Sequence, residues 1–265
     1  MIEYFTNLNH VTQALIATLF TWGVTALGAA FVFFFKYVRK GIMDAMLGFA
    51  AGVMIAASFW SLLSPAIDMA ENLGMITWLV TAVGFICGGL LLFIGDKIFN
   101  KLDNKKQYTN NSVKRCLMLI ISITLHNIPE GLAVGVAFGS LAYGIEGATL
   151  AAACLLAFGI GIQNFPEGTA VSVPLRREGF SRKKAFFFGQ LSGIVEPVCG
   201  IMGALLVMKI RLLLPFLLAF AAGAMIYVVV EELIPESQSN SKKDLMALFT
   251  LIGFSIMMIL DISLG

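Results

Sequence analysis

Hydrophobic positions along this chain gather into eight runs, each near the twenty or so residues that a helix needs to cross hydrocarbon. They fall at about Val11–Phe35, Met43–Leu63, Met75–Ile94, Cys116–Gly139, Ile145–Val173, Ala185–Val207, Leu212–Val230 and Leu245–Leu264. The pattern predicts an all-α integral membrane protein with eight transmembrane helices. No Lys or Arg precedes the first run, and it is too long for the core of a cleavable signal, so it is expected to remain as a span. The chain reads as a single polytopic membrane domain over residues 1–265. A mobile cytoplasmic loop, rich in Lys and Asn, is expected at about 97–115.

Composition agrees. With 58% hydrophobic and 13% charged residues in 265, there is too little polar surface to coat a soluble globule. Glycines recur at four-residue spacing, at Gly48/Gly52, Gly84/Gly88, Gly131/Gly135/Gly139 and Gly189/Gly193, which predicts close helix contacts in a compact bundle. Under an alternating scheme 16 of the 18 Lys and Arg fall in the odd-numbered loops, leaving only Lys209 and Arg211 opposite. The positive-inside rule then puts those loops in the cytoplasm and both termini outside. The net charge of +2 carries no signal for nucleic acid. Cys87, Cys116, Cys154 and Cys199 have no C-x-x-C spacing and read as small buried hydrophobes.

The chemistry sits where the apolar pattern breaks. The fourth run contains His126-Asn127-Ile128-Pro129-Glu130-Gly131, and the same pattern returns 37 positions later in the fifth as Gln163-Asn164-Phe165-Pro166-Glu167-Gly168. Each proline lacks an N–H and crowds the carbonyl one turn back, so kinks are expected in these helices, and in the sixth at Glu196-Pro197. His126 and Glu130, like Gln163 and Glu167, lie one turn apart on a shared face. Asn127 and Asn164 stand three residues before the glutamates and can converge with them. Imidazole, amide oxygen and carboxylate together suit a divalent first-row transition metal. The structural alternative is a kinked helix with its own hydrogen bonding, or a buried ion pair. Glu231 and Glu232 read equally as solvated acids at a helix end or as metal groups. Asp68 and Glu71 read as surface charge in the second loop, and no role is assigned to His10.

The strings "LHNIPEG" and "IQNFPEG", in the fourth and fifth of eight spans with Glu-Pro in the sixth, closely resemble the ZIP (Zrt/Irt-like) metal transporter family. The likeness implies one metal position made by His126, Glu130, Gln163 and Glu167. It implies an adjacent one completed by Asn127, Asn164 and Glu196, sharing the two glutamates. It also implies uptake of zinc and other divalent metals into the cytosol, with spans one, four, five and six moving against the rest. Many relatives have histidine where Gln163 stands, and the pattern here looks like the bacterial GufA-type branch. The third loop lacks the histidines that many relatives carry there.

The expected cargo is zinc first, with cadmium, iron or manganese as alternatives, and no organic cofactor is expected. The expected partners are divalent metal ions and the lipid bilayer, with a homodimer as a possible assembly. The expected location is the plasma membrane, the inner membrane of a bacterium. Two other functions compete. An intramembrane metalloprotease or di-iron oxidase would need H-E-x-x-H or E-x-x-H, and neither string occurs. A proton-coupled carrier of another solute could use the same glutamates as relays.

Overall fold

The computed structural model describes residues 5–35, 39–103, 111–144, 148–209, 211–239 and 242–264. Span one is α1 (His10–Phe34). Span two is α2 (Lys40–Ala57), a π-helical turn (Ser58–Leu63) and α3 (Ser64–Asn72). Spans three, four and five are α4 (Thr77–Asp103), α5 (Asn111–Ser140) and α6 (Leu150–Arg177). Span six is α7 (Arg182–Leu191) followed by α8 (Val195–Lys209). Span seven is α9 (Leu214–Val228), a second π-helical turn (Val229–Leu233) and α10 (Ile234–Ser237), and span eight is α11 (Lys243–Leu264). Seven of these spans are long and apolar enough to cross a membrane over their described residues, and the 30-residue α5 is the eighth helical segment.

Local chemistry sets where several helices begin. Asn9, Thr149 and Ser181 each accept a backbone N–H from the first turn of α1, α6 and α7, so a donor that would otherwise be stranded at the helix start is satisfied. Proline explains the π turns. Pro65 and Pro235 lack an N–H, and the carbonyls four residues back belong to Ser61 and Glu231, inside the two π turns.

Helices four and five continue without interruption across Pro129 and Pro166. The sixth is interrupted at residues 192–194, ahead of Glu196. Span two runs on to Asn72, which moves Asp68 and Glu71 from the expected loop onto a helix. Span seven likewise extends to Ser237, so Glu231 and Glu232 sit within it rather than at its end. Of the stretch expected as a loop at 97–115, residues 97–103 and 111–115 are helical, and 104–110 lie outside the described residues.

The spans pack chiefly in four pairs: one with five, four with six, three with seven, and two with eight. In each pair glycine lets two backbones touch. A methyl group on Gly168 would strike the carbonyl of Thr25, one on Gly135 that of Gly200, one on Gly88 that of Phe220, and one on Gly52 that of Thr250. Such contacts stand in for the hydrophobic effect, which gives helices little reason to associate inside lipid. Spans one, four, five and six form one cluster, joined to the others by contacts between spans two and five and between four and seven. Large side chains such as Met54, Phe138, Leu156 and Met225 fill the interior, while Leu27, Trp78 and Ile262 point outward.

Alternation of the spans is visible at both ends. Lys40 Nζ donates to Ser239 Oγ at 2.8 Å, joining the first and seventh loops at one end. Ser61 Oγ donates to Asp261 Oδ1 at 2.7 Å at the other.

Candidate metal site

The two hexapeptides face each other across the contact between α5 and α6, because both helices present their Asn and Glu inward. Asn127, Glu130, Gln163, Asn164 and Glu196 are fully buried, and Glu167 is 4% exposed. Carboxylates are almost never buried to this degree without partners. The partners divide the residues into two neighbourhoods. Gln163 Nε2 donates to Glu130 Oε1 at 2.6 Å. Asn164 Nδ2 donates to both oxygens of Glu196 at 3.0 Å. Asn127 Nδ2 donates to the carbonyl of Ser192, in the interruption of span six. The side chain of His126 lies outside the described residues.

Span one enters this site, which sequence reasoning did not foresee. The Thr21 hydroxyl donates to Glu196 Oε2 through a short hydrogen bond, and Thr25 Oγ1 reaches Glu196 Oε1 at 3.5 Å. The only signal was hydroxyls in an apolar helix, a weak one, since such hydroxyls commonly bond their own helix carbonyls. Thr18 does so, to Ala14.

Five buried oxygens here have no hydrogen-bond partner: Asn127 Oδ1, Glu130 Oε2, Gln163 Oε1, Asn164 Oδ1 and Glu167 Oε2. Each unsatisfied acceptor costs roughly 1–3 kcal/mol. All five are acceptors, and a group that satisfies several acceptors at once is a cation. Among the described residues no three His, Cys, Asp or Glu side chains form a metal-holding group by themselves, so the amide oxygens are needed to complete a coordination shell. Glu196 differs from the other glutamates in that Thr21, Thr25 and Asn164 already hold both of its oxygens.

A cavity of about 610 Å³ leads away from Glu167. It is lined by Asp44, Glu231, Glu232 and Glu236 together with Lys40, and it lies at the end of the bundle where the first and seventh loops meet. Glu231 and Glu232 therefore face an acidic passage. At the opposite end Asp68 and Asp261 line a separate cavity of about 230 Å³. Glu71 borders a shallow apolar groove beside Trp78. His10 bonds Gln13 near the start of span one, away from the hexapeptides. Cys87, Cys154 and Cys199 are free thiols.

Residues 103–261 match the family model described as ZIP Zinc transporter, more than half of the chain. Over 96% of its length the chain is 40% identical to "Zinc transporter ZIP11" of Xenopus tropicalis, covering 98% of that protein. This chain belongs to the ZIP family. It is 35% identical to "Zinc transporter ZIPB" of Bordetella bronchiseptica over 98% of its length, covering 84% of that relative. It is 34% identical to "Zinc transporter GufA" of Myxococcus xanthus, with 95% of this chain and 98% of that protein covered, so the GufA-like character read from the motifs holds. ZIP membership makes the chain a metal transporter of the membrane and not an enzyme, which removes the metalloprotease and oxidase alternatives.

Proposed function

We propose that the chain carries zinc and chemically similar divalent cations into the cytosol, binding them between spans four, five and six. The observation that carries this reading is the set of five unpartnered oxygens on Asn127, Glu130, Gln163, Asn164 and Glu167, in a site that borders an acidic cavity. Two carboxylates, Glu130 and Glu167, balance the charge of one divalent ion. That balance is what permits a dehydrated cation at membrane depth.

The first position comprises Glu130, Gln163 and Glu167, with His126 from the same turn of α5. The second comprises Asn127, Asn164 and Glu196 with the shared glutamates. A cation in the second position has to compete with Thr21 for Glu196, so the first fills more readily. Direction follows from the cavity. It opens beside Lys40 and Glu236, at the end that the concentration of basic residues assigns to the cytoplasm. A cation leaving Glu167 there passes further carboxylates before reaching bulk water, which keeps the passage attractive to cations along its length. The same orientation places both termini outside, and the plasma membrane is the proposed location.

Zinc flux into proteoliposomes, with cadmium, manganese and iron(II) in competition, tests the reading. Zinc accumulation that the other ions reduce is expected, and no accumulation above protein-free vesicles overturns it. In the same assay Gln163→His should favour zinc over manganese severalfold while total capacity changes less, because imidazole binds zinc better than a neutral amide oxygen does. An unchanged competition profile would count against Gln163 as a ligand.

A further inference from the structure

A second large cavity lies on the far side of span five from the metal site and differs from the first in chemistry. It is a groove of about 840 Å³ between spans two, five and eight. Its walls are apolar and aromatic, with Phe49 from α2, Phe165 and Pro166 from α6, and Phe249 from α11. Arg39 and Lys242 line it where spans two and eight begin, and no acidic residue lines it. Both basic residues are exposed, as are Ile42 and Leu245 along its edge. The acids of this end of the protein line the other cavity instead.

The dimensions match a lipid. On span two the lining runs from Arg39 to Phe49, about 15 Å at 1.5 Å per residue, which is half of a hydrocarbon core about 30 Å thick. Arg39 and Lys242 thus stand at the level of the headgroups, and Phe165 and Pro166 stand near the midplane. We propose that this groove binds a phospholipid with an anionic headgroup. The phosphate lies between Arg39 and Lys242, and one acyl chain packs along Phe49, Phe249 and Phe165. Paired cations with no nearby carboxylate favour an anionic headgroup over a zwitterionic one, and the aromatic walls supply the apolar contact. The chain end rests on the back of the segment whose Asn164 and Glu167 face the metal site. The occupant therefore wedges span five against spans two and eight.

Native mass spectrometry of the full-length protein, titrated with phosphatidylglycerol or phosphatidylcholine of identical acyl chains, tests the site without any measurement of metal flux. The wild type should retain phosphatidylglycerol preferentially. Arg39→Gln combined with Lys242→Gln should weaken that binding about 25-fold, at roughly fivefold for each basic residue near the headgroups, and leave phosphatidylcholine unchanged. A third variant, Ala45→Trp, fills the groove and should reduce binding of both lipids while the protein keeps its melting temperature. Equal retention of the two lipids by the wild type, or undiminished phosphatidylglycerol binding by the charge variant or by a folded groove-filling variant, overturns the proposal.

Discussion

Zinc uptake by proteoliposomes should fall at least about 100-fold when Glu130 or Glu167 is replaced by alanine, since removing even a group that only supports a ligand costs 10- to 100-fold. The protein itself should stay folded. Each glutamate has one buried oxygen without a partner, and the three carboxylates lie close enough to repel one another. Removing one relieves repulsion and desolvation, so the melting temperature of the metal-free protein should hold or rise. The isosteric changes Glu130→Gln and Glu167→Gln separate charge from shape: they preserve packing and should still lose uptake, because one carboxylate cannot balance a divalent ion. Near-normal flux in any of these folded variants would remove the glutamates from the site.

The second large effect is structural. Gly135→Ala should lower the melting temperature by several degrees or prevent recovery of folded protein, because the added methyl meets the backbone of Gly200, which no rotamer change can move aside. Overpacking of this kind costs about 1–3 kcal/mol or more. Gly95→Ala is the matched control, since nothing lies within 4 Å of its new methyl. Its expected effect is neutral to slightly stabilising, by up to about 1 kcal/mol from helix propensity. Thermal unfolding in detergent, followed by size-exclusion chromatography, distinguishes the two. Equal melting temperatures would show that spans four and six do not rely on this contact.

The apolar runs announced the helices because lipid demands length and hydrophobicity of every span, and the repeated hexapeptide announced the site because Asn and Glu are costly in such a setting. The glycine spacings were equally legible, each marking a place where two backbones meet. What stayed hidden depends on three dimensions. Thr21 looks like any hydroxyl in a membrane helix until span one is seen against Glu196. The ends of spans two and seven were misplaced because Pro65 and Pro235, with acids close by, imitate helix ends, whereas both chains continue as helix through a π turn. Glu231 and Glu232 consequently belong to a lined passage rather than to a surface.

Those two π turns restrict how the chain can vary in length. A π turn takes up an extra residue within nearly the same rise, and each residue turns an α-helix by about 100°. Deleting one residue from Val229–Leu233 would restore a regular helix and swing the following segment by that angle. Ser237, whose hydroxyl donates to the carbonyl of Asp44 at 2.7 Å, would leave its partner, and Glu236 would swing away from the passage. The same deletion in Ser58–Leu63 would carry Asp68 off the wall of the cavity at the opposite end. In the middle of these two spans, variation is therefore confined to exchanging one side chain for another at fixed phase.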